Sequence, residues 1–112
     1  MNKSIIVKTC FHGRHKYTNA PEEVSFLRIY HDHNFTIEAE IEVTDSDREL
    51  EFFIVKRNID NFLNHFRGED FEFSCEQLAE FILDYLKDKY GERKYSISVF
   101  EDGVNGGKVS NG

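Results

Sequence analysis

Three of the chain's 5 histidines have the spacing of a metal site. His31 and His33 are separated by one residue, so on extended backbone their imidazoles project from the same side of the chain. His15 closes the run of the first strand. An antiparallel hairpin whose loop spans residues 16–30 returns the chain with His15 roughly opposite His31 and His33. Three neutral imidazoles around a vacant fourth position are the donor set of catalytic zinc, which polarises a substrate oxygen or lowers the pKa of bound water to about 7. A His-x-His pair at a strand end equally serves as ordinary surface hydrogen-bonding groups, and whether the hairpin brings His15 across decides between the two. His12 competes with His15 for the third place but suits a supporting or solvent-facing role better. His65 falls on the polar side of a helix and reads as surface.

The elements that must position these rings follow from periodicity. Residues 4–11 alternate, with Ile5, Val7, Thr9 and Phe11 on one side and Ile6, Lys8 and Cys10 on the other, the period of a strand. Residues 12–30 mix His, Gly, Asn, Pro and charges and read as a long loop. Directly after the His pair comes the clearest strand. Phe35, Ile37, Ala39, Ile41 and Val43 face one way, and Thr36, Glu38, Glu40 and Glu42 the other, giving one dry face and one wet or subunit-facing side. Thr44–Arg48 is the turn that ends it.

From Ile54 the period changes. Val55, Ile59, Phe62, Leu63 and Phe66 share one helical face, which ends near Gly68. Ser74 followed by Gln77 is a capping-box pattern opening a second helix with the stripe Leu78, Phe81, Ile82, Tyr85 and Leu86, and Gly91 stops it. Tyr95, Ile97 and Val99 form a third long strand. Val104–Val109 adds a short further strand before the Gly-rich 103–112 tail frays. Paired strands, two helices and returning strands predict a single α+β domain over residues 1–112, with the helices on one face of an antiparallel sheet. Bare sheet edges are commonly paired or covered, so sheets of several subunits closing into one barrel are expected.

Composition sets the outer limits. With 14 Lys plus Arg against 21 Asp plus Glu, a formal charge of −7 and no basic run, the chain is unsuited to a nucleic-acid backbone or an anionic membrane surface. The 11 Phe and 5 Tyr exceed what a disordered chain carries. A core of this size folds alone with little stability to spare, which favours self-association. Two cysteines, Cys10 and Cys75, make neither a disulfide framework nor a four-thiolate zinc site and point to a reducing compartment. The apolar run near the N-terminus is too short for a signal peptide or a membrane span, so a cytoplasmic location is expected.

Four segments together resemble the 6-pyruvoyl-tetrahydropterin and 6-carboxy-tetrahydropterin synthase family. Phe11 to His15 is similar to its Phe-x-x-x-His segment, and His31-Asp32-His33-Asn34-Phe35 to its His-Gly-His-Asn-Tyr motif. Ser74-Cys75-Glu76-Gln77-Leu78-Ala79 is similar to its Pro-Thr-x-Glu-x-Leu-Ala helix start, and Val99-Phe100-Glu101-Asp102 to its strand ending in Val-x-Glu-Thr. The resemblance covers most of the chain and keeps order and spacing. It implies a T-fold, β-β-α-α-β-β, whose subunits form trimeric barrels that stack as a hexamer with ligand sites between subunits. It further implies zinc held by His15, His31 and His33, and a pterin- or purine-type guest, phosphorylated or not. Glu101 would accept two parallel N–H bonds from the ring's amino and N3 groups. Ser74, Cys75 and Glu76 would flank the ring, and the helix N-terminus there would attract anionic substituents.

The resemblance breaks where the family's lyase chemistry begins. Family members carry a cysteine shortly before the His-x-His pair to move substrate protons, and here the matching stretch reads Ser25, Phe26 and Leu27. The family's Asp-His pair between the helices is missing too, because the chain passes from Phe66 through Arg67-Gly68-Glu69-Asp70 to the second helix. A related subfamily uses glutamate in place of the cysteine, and Glu22 and Glu23 stand upstream at a different spacing. General acid–base groups contribute about a hundred- to ten-thousand-fold each, so losing both partners implies a zinc-dependent binder that has lost ordinary turnover. The alternative is an active lyase on 7,8-dihydroneopterin triphosphate in the 7-deazaguanine (queuosine) pathway. There Cys75, its pKa lowered by the helix N-terminus, serves as the relocated proton carrier.

Overall fold

The computed structural model describes the whole chain, Met1–Gly112. Its backbone is a long hairpin of β1 (Lys3–His15) and β2 (His31–Val43), antiparallel from Lys3 opposite Val43 to His15 opposite His31. The alternation read from sequence is the alternation of burial. Val7, Phe11, Phe35, Ile37, Ala39 and Ile41 are buried, whereas Ser4, Ile6, Lys8 and Cys10 are exposed on the opposite face. His31 and His33 lie inside β2 rather than ahead of it. The strand starts earlier than its apolar run because β1 continues to His15 and supplies a partner for every residue of it.

Helix α1 (Phe52–Leu63) opens with the Glu51 carboxylate accepting the Ile54 N–H at 3.0 Å and buries Val55, Ile59 and Leu63. It stops a turn earlier than the apolar pattern predicts. Phe66 still packs against the core, but from a turn that ends at Gly68, whose φ is +75°. Helix α2 (Cys75–Tyr90) has the expected reciprocal cap, with Ser74 Oγ accepting from Gln77 N at 3.1 Å and Gln77 Oε1 accepting from Ser74 N at 2.9 Å. Its Leu78, Ile82 and Leu86 join the α1 stripe and the sheet in one apolar core.

Between the helices, Asp70–Phe71 forms β3, a two-residue strand parallel to β1 at Arg14 and His15. Nothing in so short a stretch marks a strand, and it makes the otherwise antiparallel sheet mixed. Strands β4 (Tyr95–Glu101) and β5 (Asn105–Ser110) complete the order β3-β1-β2-β4-β5. The Gly-rich tail is therefore a paired strand through Ser110. Residues 16–30 likewise hold more order than a loop. A 3-10 segment, Glu22–Arg28, is pinned by the Arg28 guanidinium donating twice to Ala20 O, at 2.9 and 2.7 Å. No helix is long and apolar enough to cross a membrane. Backbone edges with no strand beside them within the chain include β1 before Arg14 and the outer sides of β5 and of the two-residue β3.

Candidate metal centre

The β1–β2 register places His15 opposite His31 and Gly13 opposite His33, and the β2–β4 register places Glu101 opposite Phe35. The three imidazoles converge. Ring centroids are 4.6 Å apart for His15 and His31, 5.0 Å for His31 and His33, and 5.4 Å for His15 and His33. They stand on an aromatic floor, with Phe35 5.1 Å and Phe71 5.5 Å from the His15 ring. Gly13 is what lets that floor close. A Cβ there would sit 2.9–3.0 Å from ring carbons of Phe11, Phe35 and Phe71, closer than van der Waals contact permits.

Each imidazole is oriented by its Nδ1. His15 Nδ1 faces Phe73 O at 3.3 Å, His31 Nδ1 faces Ile29 O at 2.8 Å, and His33 Nδ1 faces Asp102 Oδ2 at 2.7 Å. Carbonyl and carboxylate oxygens only accept, so Nδ1 carries the proton and Nε2 is left as the ligating atom. This arrangement fixes tautomer and ring direction in metal-binding histidines. Glu101 Oε2 then lies 2.8 Å from His33 Nε2 and 3.2 Å from His15 Nε2. His15 and His33 thus meet acceptors on both nitrogens, and a neutral imidazole can donate at one only. The cluster is short of positive charge, which a cation among the four side chains would supply. Their ligand atoms all lie within 4.8 Å of one another, while donors about 2.0–2.1 Å from a tetrahedral ion are roughly 3.3 Å apart. The residues present fit a metal ion.

Burial, outweighing the Phe73 carbonyl and the Glu101 charge, lowers the pKa of His15, which favours the neutral form a metal requires. Asp102 is held below the usual carboxylate range by the Asn34 N–H, which it accepts at 2.8 Å, and by His33. His12 points away on the outer face, 3.6 Å from Asp32, and His65 is exposed with its Nδ1 donating to Phe62 O. Neither enters the cluster.

Beside the rings opens a cleft of about 510 Å³. Its lining includes His15, His31 and Glu101 together with Ser74, Cys75 and Glu76, so the segments singled out in the sequence meet in one place. Cys75 departs from expectation. Its position at the start of α2 suggested a lowered pKa, but burial, with the nearby Glu101 and Glu76 charges, pushes the thiol up to about 11. Asp102 and the carbonyls of Phe73 and Ile29 were not singled out in the sequence. The one available signal was Asp102-Gly103 directly after the candidate carboxylate, a pair whose φ values, +54° and +71°, are those of a tight turn.

No family model matches the sequence, and no curated protein matches it. Among solved structures it is similar to the 6-pyruvoyl tetrahydropterin synthase of Plasmodium falciparum, with 15% identity, coverage of 98% of each chain and a TM-score of 0.74. An identity this low speaks to architecture alone, and what it establishes is that the chain has the fold of the tetrahydropterin synthases.

Proposed function

We propose that the protein is a zinc-containing binder of a pterin- or purine-type heterocycle, phosphorylated or not, that lacks the ordinary lyase step. The observation that carries this reading is the convergence of His15, His31 and His33 with Glu101 at the edge of the cleft. The three histidines would hold the ion, and zinc bound there would polarise an oxygen of the guest. Glu101 would take the amino and ring N–H pair of the heterocycle, and Ser74, Cys75 and Glu76 would border the ring. The thiol that lines the cleft has its pKa raised to about 11, so it is a poor proton carrier at neutral pH. Self-association, as a trimer or hexamer, would pair the free edges of β1 and β5. With Cys10 and Cys75 both free, we place the protein in the cytoplasm.

The test incubates zinc-loaded protein with 7,8-dihydroneopterin triphosphate while following the pterin chromophore, and titrates 7,8-dihydroneopterin by fluorescence. The expected result is saturable binding without turnover. In Glu101→Ala the affinity is lost while the oligomer persists, because the change leaves the core untouched. Turnover abolished by His33→Ala or Cys75→Ala would overturn the binder in favour of the lyase.

A further inference from the structure

We propose that this cleft selects an uncharged or cationic heterocycle and rejects one that carries a phosphate chain. This rests on the heterocycle-binding reading above and sharpens it. Three carboxylates line the cleft, Glu72, Glu76 and Glu101, against a single ammonium, Lys16. A divalent ion on the histidines offsets the imbalance without leaving a surplus of positive charge for phosphates.

Glu72 is tied down by a hydrogen bond, and Glu76 lies against the last strand. The Thr18 hydroxyl donates to Glu72 Oε1, tying the segment before α2 to the loop after β1. Glu76 lies against β5 at Gly107, where a Cβ would come within 2.7 Å of Glu76 Cγ and 2.8 Å of its Oε1, so only glycine admits the carboxylate there. The two basic side chains here already have partners, and the start of α2 carries its own cap and acid. Lys16 Nζ sits over the Tyr30 ring, 4.6 Å from its centroid. Arg14 shares the same ring at 5.0 Å and lies 3.6 Å from Asp70. At the start of α2, Ser74 Oγ takes the Gln77 N–H, and Glu76 in the first turn complements the helix dipole. A phosphate chain entering here would meet like charge on two sides, and like-charge juxtaposition is an effective means of excluding a ligand.

The experiment titrates zinc-loaded protein with 7,8-dihydroneopterin and, separately, with 7,8-dihydroneopterin triphosphate, at low and at high salt. At low ionic strength the triphosphate is expected to bind about tenfold or more weakly than the parent compound, and the gap should shrink as salt screens the rim. Glu72→Gln should improve triphosphate affinity by about threefold and leave that of dihydroneopterin unchanged. Equal or tighter binding of the triphosphate, or a gap that ignores both salt and Glu72→Gln, overturns the selectivity while the binding function stands. If neither compound binds, the heterocycle-binding function itself falls, and the selectivity with it.

Discussion

At one end of the β1–β2 ladder, His15, His31 and His33 each commit Nδ1 to an acceptor, and Glu101 Oε2 meets Nε2 of His15 and of His33. At the other end, beyond Lys3 opposite Val43, a polar cluster of similar size closes on itself. Glu49 accepts the Thr44 N–H at 3.1 Å, the Thr44 hydroxyl at 2.8 Å and the Asp45 N–H at 2.9 Å, and it pairs with Arg93. Arg93 in turn donates to Glu42 O and Tyr90 O, both at 3.0 Å. Every strong acceptor at the Glu49 end meets a donor, whereas acceptors outnumber donors at the histidine end. A balanced cluster stabilises the fold and asks for nothing further. An unbalanced one that is rigidly held, beside a cleft, is organised for something that arrives.

His33→Ala should break this contrast most sharply. Removing one of three imidazoles is expected to weaken zinc binding by roughly a hundredfold or more, measured by competition with a chromophoric chelator. The melting temperature of the metal-free protein should barely move, because His33 is partly exposed and lies above the core rather than in it. A variant that binds zinc normally would show that the rings are a structural cluster like the one at Glu49. Asp102→Asn probes the same end more gently. The amide oxygen can keep the Asn34 N–H, which leaves the amide NH2 facing His33 Nδ1, where an acceptor now stands. That change favours the tautomer with its proton on Nε2, the wrong one for a metal. A loss of about tenfold in zinc affinity is expected, in the range typical of groups that orient a ligand. Unchanged affinity would mean that Asp102 serves the turn alone.

How much of this was legible in the sequence follows from how local each determinant is. The dry faces of β1 and β2 show in the period of Val7, Phe11, Phe35, Ile37 and Ile41, and the start of α2 shows in Ser74 and Gln77, because side-chain alternation and capping are short-range. The meeting of His15 with His31 was also readable, since a hairpin sets its register from its own strands. The orienting partners were not. Asp102 reaches His33 only because β4 lies beside β2, 69 residues away in the chain, and Phe73 contributes a backbone carbonyl, which no side-chain type announces. The raised pKa of Cys75 was hidden for the same reason. The helix start is visible in sequence, but the burial and the two carboxylates that outweigh it come from the tertiary arrangement.

Glu49→Gln tests the other end, with the smallest effect of the three. The Asp45 N–H, followed by Arg93 and Thr44, lowers the Glu49 pKa from 4.5 to about 2. A carboxylate depressed on folding contributes stability that is fully present above its unfolded pKa and is lost as pH falls through the folded value. The wild-type melting temperature should therefore drop between pH 4.5 and about 2 by more than that of Glu49→Gln, which has no charge to lose there. At neutral pH the variant should melt a few degrees lower, and towards pH 2 the two curves should meet. Comparing the two proteins cancels the titration of every other acid. Zinc affinity at pH 7 should be the same in both, because Glu49 lies at the far end of a 13-residue ladder from the rings. If acid curves ran parallel, the bonds around Glu49 would not discriminate its charged form. If zinc affinity fell with them, the two ends would be coupled through the sheet, and the separation between a self-satisfied cluster and a receptive one would not hold.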